Sequence, residues 1–214
     1  MNLSYTLPLG QSATLSAKSG YRAYDRNWGE DDYPATLSLR EHDRVDQKIL
    51  PTDLTLTIKH LGSSLLSLGT SLQSASYRTY DGATGIPRLG NDVQARTLGG
   101  FIQEKLVSGR WIWRAGGRFE HTAHRSHWIV GTRPGVDESS WDKVMWSAGV
   151  RFNALPSLAF FGNASNSFIP PSAKAVGGTL QESDALQPGR DGQLPNRDLR
   201  PEKGIGADLG LDFH

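Results

Sequence analysis

The feature that most constrains this chain is a two-residue alternation of apolar and polar side chains that recurs along most of its length. It is clearest where Trp111, Trp113 and Phe119 alternate with Arg114 and Arg118. A period of two places successive side chains on opposite faces of a β-strand, and no stretch shows sustained helical spacing. The pattern predicts an all-β chain, folded as an antiparallel up-and-down meander of about nine strands.

The connections between the predicted strands alternate in length. The short ones fall near residues 8–11, 61–63, 107–110 and 155–157. The long polar ones fall near residues 26–44, 81–92, 126–141 and 170–200. Short turns at one end and long loops at the other are typical of outer-membrane β-barrels, whereas an immunoglobulin-like sandwich has no such parity. We therefore expect the sheet to be part of a transmembrane β-barrel.

Bulk composition excludes several other classes of protein. Mean hydropathy is −0.45, and no apolar run approaches the roughly 18 residues of a transmembrane helix. The 23 basic and 22 acidic residues are well mixed, so no nucleic-acid partner is expected. The chain has no cysteine, which excludes disulfides and thiolate metal sites. Its first residues lack a signal-peptide pattern, and we expect the true start of such a membrane protein to lie elsewhere.

Trp111 and Trp113 directly follow a predicted short turn. Aromatic side chains at this position anchor membrane proteins in the headgroup region. The alternative is a pair of core tryptophans in a soluble sandwich. The alternation of loop lengths favours the membrane girdle.

Charged side chains within the predicted strands lie opposite the apolar face. Arg114, Arg118 and Arg151 are the main examples. Because charges in hydrocarbon are costly, we expect these arginines to face the lumen of the barrel. There they would contact a plug domain or an anionic ligand, or they would simply form a hydrated wall.

Catalytic and metal chemistry find little support in the sequence. His121, His124 and His127 are spaced three apart, and in a strand such neighbours point to opposite faces, so they converge on one ion only if the chain bends. A polar loop rich in histidine is the preferred interpretation, and no metal site is expected. There is no G-x-S-x-G element and no phosphate-binding glycine loop. We expect a protein that is not an enzyme and needs no cofactor.

Two short motifs near the end of the sequence identify a family. An aromatic strand runs into Phe168-Ile169-Pro170-Pro171-Ser172, and after a polar loop Pro195-Asn196-Arg197-Asp198-Leu199-Arg200-Pro201-Glu202 leads into a new alternating strand. Their order and spacing resemble the "sFxxPs" and "NpdLkPE" boxes of TonB-dependent outer-membrane receptors. The positions that match are Phe168, Pro170, Pro171, Asn196, Leu199, Pro201 and Glu202. Three earlier strands, within 99–106, 115–120 and 147–152, resemble further elements of this family in the same order.

The resemblance implies a barrel of about 22 strands closed around a plug domain. Such receptors lie in the outer membrane, couple to the TonB complex through the plug, and take up iron–siderophore complexes or other scarce nutrients. Residues 1–214 would be a partial barrel domain without the plug. We expect the outer-membrane lipid, the missing plug and the missing strands to be its partners. An iron–siderophore is the expected ligand, since no histidine lies between Phe168 and His214 to bind haem.

The resemblance also implies that this segment is not competent for transport by itself. An open sheet in a bilayer would leave unpaired backbone groups at both edges, each costing several kcal/mol. The alternative function is a soluble or surface-exposed β-rich ligand-binding module. A clean monomer in buffer without detergent would favour that alternative.

Overall fold

A computed structural model describes residues 1–31, 34, 39–81, 88–128, 135–178, 196 and 198–213. Within these residues the chain forms ten strands and one short helix. In chain order they are β1 (Asn2–Leu9), β2 (Ala13–Gly20), β3 (Arg22–Asp31), β4 (Leu39–His60), β5 (Ser64–Asp81), β6 (Arg88–Ser108), β7 (Trp111–Trp128), β8 (Gly135–Leu155), β9 (Leu158–Ile169), α1 (Ala173–Gly177) and β10 (Glu202–Phe213). No helix among the described residues is long and apolar enough to cross a membrane.

All the strands join one antiparallel sheet in the order β1-β2-β4-β5-β6-β7-β8-β9-β10, with β3 also pairing with β4. The predicted all-β meander is confirmed. The chain is divided at Tyr21 into β2 and β3, which both pair with β4, so the ten strands occupy nine positions. Tyr21 exchanges two backbone hydrogen bonds with Met1, at 2.9 and 3.1 Å, so it pairs with the chain beside β1.

The tight turns lie where the sequence predicts them, and the connection between β9 and β10 matches the predicted 170–200 loop, but the other three long connections are shorter than expected. Gly10, Gly62 and Gly109 have φ values of 72, 76 and 58°, which suit a residue without a Cβ in a tight turn. At the other end β4 begins at Leu39, well inside the predicted 26–44 loop. Likewise β7 reaches Trp128, so the three histidines lie within a strand and not at the start of a loop.

The ladder aligns the apolar residues of successive strands into rows on one face of the sheet. One row runs through Leu56, Leu68 and Ile102 to Gly117 and Trp146. Members of these rows remain accessible; Ile102, for example, is 53% exposed. This surface, called the apolar face below, is therefore not covered by the chain itself. The opposite, polar face carries the alternate residues.

The apolar rows form a band of limited height. Along β7, the residues on this face are apolar from Trp111 to Phe119, a span of nine residues, and then change to His121 and Arg125. A transmembrane β-strand needs about 9–11 residues. At the turn end Trp111 stacks on Trp113 with ring centroids 5.5 Å apart, as expected for an interfacial girdle. We call this region the apolar band; the strands continue beyond it towards the long loops.

Beyond the band, the apolar face carries charged pairs, most of them between neighbouring strands and one, Arg44 with Asp46, within β4. The pairs join side chains at 2.5–3.7 Å and comprise Arg44 with Asp25 and Asp46, Arg78 with Asp92, His121 with Asp142, and Arg125 with Glu138. Such exposed pairs contribute little stability each. They mark the height at which the surface changes from an apolar to a polar surrounding, and we call them the charged belt.

The polar face has a small hydrophobic core of its own near the long loops. Tyr77, Val93, Ala95 and Ala173 are buried together, with Val45 and Ala75 packed against them; we call this group the loop-side cluster. Four of its members come from β5 and β6, Val45 comes from β4, and Ala173 comes from α1. The helix therefore closes over the polar face at the end of the sheet where the loops lie.

Candidate functional site

The first family motif forms the start of α1. Phe168, near the end of β9, is buried, and Pro170 and Pro171 follow the strand. Ser172 then caps the helix, because its Oγ accepts a hydrogen bond from the backbone N–H of Ala175 at 3.0 Å. A proline cannot continue a strand interior and a serine cap begins a helix. The motif therefore ends a strand and begins a helix within five residues.

The helix is held against the sheet by a close backbone approach and one buried amide. At Gly177 an added Cβ would lie 3.0 Å from the Tyr77 ring and 3.1 Å from Val93, so only glycine fits without displacement. The carbonyl of Gly177 accepts a hydrogen bond from Asn91 Nδ2 at 2.9 Å. Asn91 is 1% exposed, and its backbone N–H donates to Thr79 Oγ1 at 3.1 Å.

The second family motif bonds to the helix that follows the first motif, and its last residue pairs with the first motif in the sheet. The N–H of Asn196 donates to the carbonyl of Val176 in α1 at 3.1 Å. The Asn196 side chain also accepts from the Asp198 N–H at 3.0 Å, which turns the chain locally. Leu199 and Pro201 are half-buried, and Glu202 begins β10 directly opposite Ile169 of β9. The structure thus brings the two motifs together at one place.

Arg118 crosses the polar face from β7 to β5. Its guanidinium donates to Glu120 Oε2 at 2.9 Å and to Ser71 Oγ at 2.7 Å. Between these strands it passes over Gly99 of β6, where an added Cβ would collide with the guanidinium. The missing side chain at Gly99 therefore makes room for the arginine.

The other two arginines on the polar face differ in their partners. Arg151 Nη1 donates to Asp212 Oδ2 at 2.7 Å, and Arg151 Nε donates to Asn153 at 3.0 Å. Arg114 is exposed, and within the described part of the chain it has no hydrogen bond and no ion pair. Of the three, Arg114 is therefore the cation whose charge is not balanced by a carboxylate in the described structure.

The three histidines of β7 do not converge. His121 on the apolar face bonds Asp142 at 2.7 Å. His124 lies on the polar face, 4% exposed, with its ring edge-on to Trp141 at 5.1 Å. Across the described residues no group of three or more potential metal ligands occurs.

Burial changes the proton affinity of two side chains beyond the apolar band. It raises the pKa of Tyr77 to about 12, although nearby Arg26 acts in the opposite direction. It also lowers the pKa of His124. Both groups therefore stay uncharged near neutral pH, which suits a packed region beneath α1.

The sequence matches the model of the "TonB dependent receptor-like, beta-barrel" family over residues 1–214. The chain belongs to this family. No curated protein matches it. Members are outer-membrane proteins of Gram-negative bacteria, bind siderophore ligands and interact with TonB. The chain is accordingly an outer-membrane protein, and the family resemblance seen in its motifs is confirmed.

Solved receptor structures share the fold. The chain is similar to the copper transporter OprC, with a TM-score of 0.77, 12% identity and coverage of 99% of this chain and 36% of that one. For the siderophore receptor PiuA of Acinetobacter baumannii the TM-score is 0.73 and the identity 10%, with coverage of 98% of this chain and 36% of that one. For the unliganded ferric citrate transporter FecA the TM-score is 0.65 and the identity 16%, with coverage of 99% of this chain and 31% of that one. The chain spans about a third of the length of these receptors.

The sequence did not reveal the side chains that hold α1 in place, those of Tyr77 and Asn91. Tyr77 and Asn91 lie on the polar face, in the parts of β5 and β6 nearest the long loops, where the alternation of apolar and polar residues is weak. The helix itself left a signal, because Ser172 before it and Gly178 after it are a capping serine and a C-terminal glycine with φ of 66°.

Proposed function

We propose that residues 1–214 form nine adjacent strand positions in the barrel of a TonB-dependent receptor that takes up an iron–siderophore or a similar scarce nutrient. The single observation that carries this is the family match over all 214 residues. The strand lengths and the apolar band support it, since they fit a sheet that crosses the membrane and extends towards the loops. The polar face would then be the lumen face.

We further propose that this segment does not transport by itself and that it has no plug of its own. Support comes from the two sheet edges: within the described residues, β1 pairs only with β2 and β10 only with β9. In hydrocarbon the unpaired backbone groups of such edges cost several kcal/mol each. The remaining strands and the plug would come from other parts of the receptor, and TonB would act through that plug.

Within this barrel, the arginines have different roles. Arg118 pairs with Glu120 on its own strand and donates to Ser71 on β5, and Arg151 pairs with Asp212 on β10, so each links separate strands of the wall. Arg114 faces the lumen without a carboxylate partner among the described residues, and it is the one available to a carboxylate of the plug or to an anionic ligand. The two family motifs would hold the loop after β9 at the mouth of the barrel through α1.

The test is uptake of iron-55 bound to siderophores by a Gram-negative strain that lacks its own receptors. The protein at its full natural length should restore uptake that stops when the proton-motive force is collapsed, and residues 1–214 alone should not. Arg114→Glu should reduce uptake more than Lys143→Glu, a matched reversal on the neighbouring strand. Uptake by residues 1–214 alone would contradict the proposal, and so would a folded monomer of this chain in detergent-free buffer.

A further inference from the structure

Two cations on the apolar face lie just beyond the apolar band without an acidic partner. Lys48 on β4 and Arg96 on β6 are both exposed, and neither makes an ion pair among the described residues. Every arginine of the charged belt, by contrast, has a carboxylate within 4 Å. Lys48 and Arg96 therefore carry positive charge that no carboxylate of the described residues balances within 4 Å, unlike Arg125 in the same row as Lys48.

The register places polar donors between these two cations. Lys48 is directly opposite Ser76, which is opposite Gln94; Ser74 is opposite Arg96. Together they line a shallow surface depression that Tyr21 borders on the side of β2. Two strand spacings separate β4 from β6, about 10 Å, a gap that the long side chains of lysine and arginine can close over the two serines. An oxyanion seated there would meet two charges and several hydroxyl and amide donors.

The surface immediately below the depression is apolar and uncovered. Leu50 belongs to the row of Ser74 and Arg96, and Leu72 and Leu98 form the next row. These leucines are 47, 51 and 53% exposed. A ligand that fits both parts needs an anionic head at the level of the cations and a hydrocarbon tail along the leucines. A free anion in solution would contact only the cations and the polar donors, and not the leucines.

From this juxtaposition we propose that Lys48 and Arg96, with Ser74, Ser76 and Gln94 between them, bind the phosphate group of a lipid whose acyl chains lie on Leu50, Leu72 and Leu98. The long loops of such barrels are extracellular, so this lipid belongs to the outer leaflet. Basic side chains at a membrane surface attract anionic lipid in this way. The occupant is the lipid that surrounds the barrel, not the transported solute. The inference therefore depends on the outer-membrane location and not on the proposed ligand.

The experiment uses the protein at its full natural length in phosphatidylcholine nanodiscs that contain a small fraction of dioleoyl phosphatidic acid. Native mass spectrometry counts the phosphatidic acid that stays bound to the released protein. Removing both charges in Lys48→Gln/Arg96→Gln should reduce this retention about 25-fold, equivalent to about 1 kcal/mol for each cation. Retention by the wild-type protein should also decrease as salt is raised.

The matched control is Lys18→Gln/Lys59→Gln, which removes two exposed charges from the polar face and should leave retention unchanged. A second variant, Lys48→Arg/Arg96→Lys, keeps both charges and should retain lipid like the wild type, even if the neutral variant folds poorly. Equal retention by the neutral variant and the wild type would overturn the proposal, as would equal losses in the control. Full displacement by millimolar inorganic phosphate would also overturn it, because the site would then bind a free anion.

Discussion

The turn-side and loop-side halves of this sheet are stabilised in different ways, although the same strands run through both. In the apolar band the hydrophobic side chains point away from the protein, and the polar face needs no covering layer of apolar residues. Nearer the loops the apolar face becomes charged, and the hydrophobic side chains move to the opposite face as the loop-side cluster. A strand surrounded by lipid needs no core, whereas the same strand in water needs one.

This difference explains why a five-residue helix matters in a β-protein. Alone, α1 is too short to be stable in water. It supplies Ala173 to the loop-side cluster and accepts the Asn91 hydrogen bond, so packing holds it in place. In return it covers Tyr77 and Val93, which are 1% and 0% exposed.

The largest expected effect is a loss of stability in the loop-side half of the sheet. Tyr77→Ala should lower the free energy of unfolding by roughly 3–5 kcal/mol, because it opens a cavity beneath α1. Urea unfolding of the full-length protein in lipid vesicles measures this change. Tyr77→Phe is the control: its lost hydroxyl has no partner among the described residues, so the change should stay within about 1 kcal/mol. Similar losses for both variants would mean that ring packing does not hold this half together.

A charge placed in the apolar band should destabilise the turn-side half of the sheet. Ile102→Arg adds a cation to the middle of the apolar face and should cost about 2–4 kcal/mol. Gln103→Arg, one residue along on the polar face, should change stability by no more than about 0.5 kcal/mol. The same vesicle assay compares the two. If both cost the same, the assignment of the two faces would be wrong.

A smaller effect sharpens the role of the helix cap. Ser172→Ala removes the bond to the Ala175 N–H and should cost about 1 kcal/mol. Hydrogen exchange of the amides in α1 should quicken, while exchange in the turn-side half of β9 stays the same. Ser172→Asp keeps a capping oxygen and should preserve protection. Faster exchange throughout β9 would show that the motif supports the strand instead of the helix.

The smallest effect is a pH dependence confined to the loop-side half. Because burial lowers the pKa of His124 below its ordinary value of 6.5, the unfolded chain takes up a proton first as the pH falls. The free energy of unfolding should therefore decrease below about pH 6.5. His124→Phe keeps an aromatic ring against Trp141 and should show a weaker decrease between pH 7.5 and 5. Identical pH profiles for the two proteins would contradict this account.

The sequence predicted the turn-side half better than the loop-side half, for a physical reason. Within the band one face must be apolar, so residues such as Trp111, Trp113 and Phe119 give a clear period of two. Beyond the band both faces meet water or a small local core, so neither face has to be apolar and the alternation is lost. For this reason the sequence suggested a loop where β4 in fact begins, at Leu39. There the apolar Val93 lies on the polar face, a position that alternation alone does not reveal.

The candidate site could be located from the sequence, but its construction could not. The two motifs were visible as strings of residues, and their positions near Ser172 and Asn196 follow from that. That Asn196 of the second motif bonds to Val176 in the helix after the first motif depends on tertiary packing across a long connection. The choice of Arg114 over Arg118 and Arg151 likewise needed the positions of Glu120 and Asp212. The roles of all these residues stay predictions until transport is measured.

The hydrogen bond between Asn196 and Val176 has a consequence for how such a receptor could change over time. It ties the chain down just before β10, as Ser172 and α1 tie it down just after β9, so the two ends of the intervening sequence are held whatever that sequence is. Once the ends of a loop are held together, doubling its length costs only about 0.6 kcal/mol. Insertions, deletions and new side chains between these anchors could accumulate without disturbing the wall. The two anchors would therefore let the connecting sequence change while the sheet stays the same.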